Sequence, residues 1–127
     1  MANLRAQLTA LRAMSKERTY QKDEVIWDAG EPAGTCLFLM VGKVTIETEA
    51  NKAGLRLEIA TRSAGDLIGE MSLFTKVRSA RVVATRAVEA TEYNHADIIE
   101  HAKLTPDFAM SLLTLSYERT YQLIPRY

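Results

Sequence analysis

The chain has 127 residues, enough for one hydrophobic core and too few for two ordinary domains. Hydrophobic residues at 47% and charged residues at 25% are ordinary for a globular protein, and 16 basic residues balance 16 acidic ones, a poor footprint for a nucleic-acid binder. The one cysteine, Cys36, excludes an intrachain disulfide and fits a reducing compartment. No apolar run is long enough for a bilayer, and residues 1–14 lack the unbroken apolar core of a secretion signal. The expectation is therefore a soluble cytoplasmic protein, or a soluble piece of a larger one.

Leu4, Leu8 and Leu11 recur at helical spacing, which predicts a short amphipathic helix within residues 1–16 that packs against the rest of the fold; contact with a membrane is the weaker alternative. From Thr19 the pattern turns β-prone. Thr19 to Lys22 and Val25 to Trp27 are short strands, and Gly30-Glu31-Pro32-Ala33-Gly34 is turn chemistry. Cys36 to Val41 is a continuous apolar run, as in a strand buried on both faces. Gly42-Lys43 turns the chain, Val44 to Thr48 alternates, and Asn51 to Gly54 is a polar hairpin tip. Leu55, Leu57 and Ile59 alternate with Arg56, Glu58 and Ala60, which predicts a half-buried strand carrying those three on its inner face. Arg81 to Thr85 and Val88 to Tyr93 are two more strands. Asn94 is placed to cap a helix over 95–102, and Pro106 to open another after Thr105, with Phe108, Leu112, Leu113 and Leu115 along it and Pro125 as its end. The fold class that results is α+β: one antiparallel, jelly-roll-like β-roll over 18–93, flanked by an N-terminal helix and by C-terminal helices over 94–124.

Between the fifth strand and the Arg81 strand lies Gly65 to Ala84, which reads as strand end, tight glycine, one or two turns of helix, loop and strand. The start of such a stub leaves backbone N–H groups that favour an anion. Glu70 sits at that start and Arg78 follows eight positions later. A carboxylate and a guanidinium beside free amides suit a molecule that carries both a hydroxyl and a phosphate.

Gly65-Asp66, Gly69-Glu70, the stub Met71 to Phe74 and Arg78-Ser79-Ala80, downstream of Gly30, Ala33, Phe38, Gly42 and Val44, resemble the phosphate-binding cassette and glycine-marked roll of the cyclic nucleotide-binding domain family. The family includes the catabolite-activator-like bacterial regulators, and the likeness covers about residues 18–120. Val77 replaces the family's usual proline and Ile68 its usual phenylalanine. The resemblance implies a ligand set. Arg78 and Ser79 hold the cyclic phosphate with the amides near Gly69, Glu70 and Met71, and Glu70 accepts from the ribose 2′-hydroxyl. Leu57, Ile59, Leu67 and Val82 are candidates for the purine wall, with Ile68 beside them, and Tyr117, Arg119 and Tyr121 for a lid from the last helix; ordinary core packing is the competing reading for the apolar ones. No cofactor is expected; the ligand is expected to be cAMP in preference to cGMP. Leu123 and Ile124 align where related regulators place small hydroxyl residues against adenine.

The expected role is a regulatory sensor that signals when the cassette, through Leu67, Leu73 and Phe74, moves the terminal helix. An enzyme is not expected: the strands carry no histidine for a cupin-like metal site or to serve as a base for a nucleophile, and His95 and His101 sit on a surface helix, six apart. Partners beyond the nucleotide are another protein or a second copy through the terminal helix; nucleic acid and membrane are not expected, since the chain stops two residues after Pro125, where catabolite-activator-like regulators continue into a helix-turn-helix. Two alternatives stay open: an interaction module of the same fold that does not respond to nucleotide, and the sensor part of a larger regulator, channel or enzyme.

Overall fold

A computed structural model describes residues 4–122. The chain opens with α1 (Leu4–Leu8), which tightens into a 3₁₀ segment, Thr9–Met14. Eight strands follow: β1 (Lys16–Tyr20), β2 (Val25–Trp27), β3 (Thr35–Val41), β4 (Lys43–Glu47), β5 (Glu58–Ser63), β6 (Leu67–Ile68), β7 (Arg81–Ala84) and β8 (Val88–Asn94). A 3₁₀ turn, Glu70–Ser72, lies between β6 and β7, and the chain ends in α2 (His95–Leu104) and α3 (Pro106–Gln122). The strands form two antiparallel four-stranded sheets, ordered β1-β8-β3-β6 and β2-β7-β4-β5. This is the expected roll with helices at both ends. No helix among the described residues is long and apolar enough to cross a membrane.

Strand β3 explains why there are two cores. Cys36 and Phe38 point to the helical side, where they meet Leu8, Leu11, Leu73, Tyr93, Ile98, Phe108 and Leu112. Leu37 and Leu39 point between the sheets, to Trp27, Val44, Ile68, Val82, Val88 and Ala90. A strand with both faces covered has no polar alternation, so its sequence is a plain apolar run. Cys36 is a free, buried thiol whose pKa burial raises well above the ordinary range. Gly42 makes the β3–β4 turn at φ 101°, and a Cβ there would lie 2.2 Å from the Ala87 carbonyl oxygen, so no other residue fits.

Four local expectations need correction. Leu55 and Leu57 are exposed, Leu57 to 72%, and β5 begins only at Glu58. The register slips between Ile46 and Glu47: Ile46 faces Ala60 while Glu47 faces Glu58, so Ile59 is the extra residue of a bulge. The slip turns the even-numbered Ala60 and Arg62 inward. Asn94 occupies the N-cap position of α2, but its side chain makes no capping bond; the His95 N–H is satisfied by the Gly34 carbonyl. His95 is not on the surface but 5% exposed. Phe74 is 82% exposed and packs on nothing in the helical core, whereas Leu67 and Leu73 do. Leu123, Ile124 and Pro125 lie outside the described residues.

Candidate functional site

β6 spans two residues, and they face opposite ways: Leu67 enters the helical core and Ile68 the inter-sheet core. The chain then reverses at Gly69, whose φ of 88° is left-handed and ordinary only for glycine. A Cβ on Gly69 would also meet the Arg78 guanidinium at 2.9 Å, the Thr35 carbonyl oxygen at 3.0 Å and the Trp27 ring at 3.1 Å. Glycine is therefore required both for the bend and for the close approach of three neighbours.

The 3₁₀ turn that follows carries Glu70 into a cavity of about 250 Å³. Gly69, Glu70, Met71 and Ser72 form one wall, Ser79, Ala80 and Val82 a second, and Ile46 with Ile59, Ala60 and Arg62 a third. Trp27 and Ile68 close the floor, and Arg119 reaches in from α3. The cavity has a polar end at the turn and an apolar flank on β4, β5 and β7, which suits a small ligand with a charged end and a flat apolar body.

Glu70 is 4% exposed, and its charge is met by Arg119, with Nη1 at 2.5 Å from Oε1. The same nitrogen donates to the Leu67 carbonyl at 2.7 Å. A buried carboxylate keeps its charge only with such a partner. The pair links the cassette directly to α3.

Arg78 is buried but does not line the cavity. Its guanidinium lies behind Gly69, donates to the Thr35 carbonyl at 2.8 Å and the Thr35 hydroxyl at 3.0 Å, and stacks 3.6 Å over the Trp27 ring. Backbone bonds fix its position: the Arg78 N–H donates to Glu31, the Gly30 N–H to Arg78, and the Ala33 N–H to Lys76. The glycine-marked turn at 30–34 thus carries the cassette's return limb. Burial lowers the Arg78 pKa, against the pull of nearby acidic groups.

Of the residues expected at the site, Ile68, Gly69, Glu70, Met71, Ser79 and Val82 meet around the cavity, and Ile59 joins them. Leu67 is in the helical core, Leu57 is exposed at the hairpin, and Tyr117 and Tyr121 are exposed and stacked on each other with centroids 6.2 Å apart. Ile46, Ala60 and Ser72 also line the cavity, and three further residues at or under the site were not legible as such. Arg62 required the β5 bulge, and Trp27 required the sheet pairing that sets it on Val82. His95 has its Nε2 at 3.1 Å from the Gly69 carbonyl oxygen, directly beneath the turn. Among the described residues no cluster of three or more His, Cys, Asp or Glu could hold a metal ion.

Comparison with known proteins bears on the family and the fold. Two curated relatives come from Bradyrhizobium diazoefficiens: Glutaminase 2 is 28% identical over 107 residues and Glutaminase 1 is 40% identical over 86 residues. These matches take in 84% and 68% of this chain but only 16% and 13% of the two glutaminases, so the chain spans a small part of their length. Among solved structures, the Thermus thermophilus catabolite activator protein superposes with a TM-score of 0.81 at 24% identity, over 92% of this chain and 55% of that one; the likeness concerns the fold. The model of the cyclic nucleotide-binding domain matches residues 17–103, which include both sheets except Lys16, the left-handed turn and Arg78. That match takes in more than half of the chain, and the chain belongs to the cyclic nucleotide-binding domain family.

Proposed function

We propose that the cavity takes a 3′,5′-cyclic nucleotide and that α3 carries the signal of its arrival. One observation supports this most: a buried carboxylate, Glu70, stands in the wall of a cavity at the first residue of a turn made by a left-handed glycine, and is tied to the last helix by Arg119. In this reading the ring phosphate lies against the backbone of Gly69–Ser72 and the Ser79 hydroxyl. The ribose 2′-hydroxyl donates to Glu70, which then shares its charge between ligand and Arg119. Arg78 turns from Thr35 toward the phosphate, exchanging two bonds to neutral oxygens for two to an anion. The flat base lies along Ile46, Ile59 and Val82. The expected preference for adenine has no residue behind it here, because Leu123 and Ile124 fall outside the described residues.

Titration calorimetry with cAMP and cGMP tests the reading. Glu70→Ala and Arg78→Ala are each expected to weaken binding about ten- to a hundredfold, the loss of one charged hydrogen bond of roughly 1.5–3 kcal/mol. Wild-type affinity in both variants overturns the assignment. A second reading, a module that binds a protein and ignores nucleotide, draws on two observations. Glu70 and Arg78 already have protein partners, and Met110, Leu113, Tyr117 and Tyr121 form an exposed apolar stripe at helical spacing on α3. No thermal stabilisation by millimolar cAMP or cGMP favours that reading. The two glutaminases, several times longer than this chain, support a role as the sensing part of a larger protein.

A further inference from the structure

We propose that a second cavity, on the other face of the β1-β8-β3-β6 sheet, binds a free α-amino acid with an apolar side chain. The proposal stands apart from the nucleotide-binding reading above and does not depend on it.

This cavity measures about 230 Å³ and lies between the N-terminal helical segments and the sheet. Strand register builds one wall. Glu17 of β1 faces Thr91 of β8, and Thr91 faces Phe38 of β3, so the three stand in one row on one side of the sheet. It is the side on which Phe38 and Tyr93 meet Leu8, whereas Leu37 and Ile68 point the other way. Thr91 and Tyr93 line the cavity and are 8% and 6% exposed. Among the described residues neither hydroxyl has a hydrogen-bond partner. Buried hydroxyls ordinarily find one, so two without a partner in one cavity wall mark a place where a ligand supplies it. Arg12, from the 3₁₀ segment, and Glu17 line the same cavity. Among the described residues neither belongs to an ion pair, with the other or with any third residue. Both act on Tyr93, whose pKa burial raises, Arg12 lowers and Glu17 raises again.

Opposite charges held apart in one cavity suit a ligand that carries both. A simple anion would be drawn to Arg12 but repelled by Glu17, and a simple cation the reverse. The zwitterion of an α-amino acid satisfies the two together. Its carboxylate accepts from the Arg12 guanidinium and the Tyr93 hydroxyl, and its ammonium donates to the Glu17 carboxylate and the Thr91 hydroxyl. Its side chain falls to Leu8, Phe38 and Met40, the apolar part of the lining. The volume is below the about 300 Å³ at which pockets for drug-sized molecules begin, which suits a ligand as small as an amino acid.

The test is calorimetry with leucine, leucinamide and 4-methylpentanoate. The three share one side chain; leucinamide lacks the carboxylate and 4-methylpentanoate lacks the amine. Wild-type protein is expected to bind leucine about ten- to a hundredfold more tightly than either analogue. Arg12→Met and Glu17→Gln, at exposed positions outside any ion pair, are each expected to weaken leucine binding about tenfold or more while the melting temperature without ligand stays that of the wild type. The wild-type series decides even if a variant fails to fold. No binding of leucine to the wild type at millimolar concentration overturns the proposal. So does 4-methylpentanoate binding as tightly as leucine, which would make the cavity a plain anion site. Leucine affinity unchanged in both variants places the amino acid elsewhere and overturns it too.

Discussion

Gly69 is where backbone conformation, packing and the cavity wall meet in one residue. Its φ of 88° suits glycine, and a methyl group there would press on Arg78, Thr35 and Trp27 at once. Gly69→Ala is expected to destabilise the fold by about 1–3 kcal/mol in urea denaturation. Gly34→Ala, where a Cβ meets nothing within 4 Å, is expected to stay near neutral. Beneath the same turn, His95 is held neutral. Burial pushes its pKa below the usual imidazole value and the Arg78 charge adds to this, against the bonds to the Gly69 and Thr35 carbonyls, which raise it. In the unfolded chain the ring takes its proton near about pH 6.5. Below that pH the unfolded state binds more protons than the folded one, so stability declines until the folded ring titrates as well. The stability difference between wild type and His95→Gln is expected to shrink, wild type losing its advantage, as pH falls from about 7.5 to about 5. A pH-independent difference would show that folding leaves the ring's pKa unshifted. Glu70 and Arg78 stood out in the sequence because a glycine and a short apolar stub flank them. His95 did not, because nothing in its neighbours announces that a turn 26 residues earlier will lie against it.

At the scale of elements, strands buried on both faces or bounded by turn residues were the most legible. β3 is an unbroken apolar run, and Gly42 and Asn51 to Gly54 mark the turns that follow. β5 was misread because alternation assumes an unbroken register. One bulged residue at Ile59 turns Ala60 and Arg62 toward the cavity, and Leu57 is exposed because it lies before β5 begins. The helices were legible by spacing, but their partners were not. Phe108, fully buried, sits at the start of α3 against His101 of α2, with ring centroids 4.7 Å apart, and in the same cluster as Leu8 and Leu11. Phe108→Ala is expected to cost about 3–5 kcal/mol because it empties the place where three helical segments and the sheet meet. Leu113→Ala, five residues on and exposed, is expected to change stability by less than about 0.5 kcal/mol. Comparable losses in the two variants would mean that the exposed stripe of α3 is covered in solution.

Across the whole molecule, the β1-β8-β3-β6 sheet separates two cores that the cassette enters at once. Ile68 anchors it between the sheets, and Leu67 and Leu73 anchor it among the helices. In the proposed reading an inward pull on the turn loads both cores, and two sets of contacts lead on to α3. One is apolar, through Leu73 to Phe108 and Leu112, and adapts by repacking. The other is the single buried ion pair between Glu70 and Arg119, whose partner atoms leave little room for a gradual response. In the proposed reading, a ligand that shares the Glu70 carboxylate acts on the second route first. Hydrogen exchange is expected to show altered protection along α3 when cyclic nucleotide binds the wild type. In Arg119→Ala the cassette amides are expected to respond while α3 does not, because the remaining apolar contacts can shift without moving the helix as a body. If α3 responds equally in both proteins, the apolar route carries the coupling, and the ion pair serves only as a structural contact.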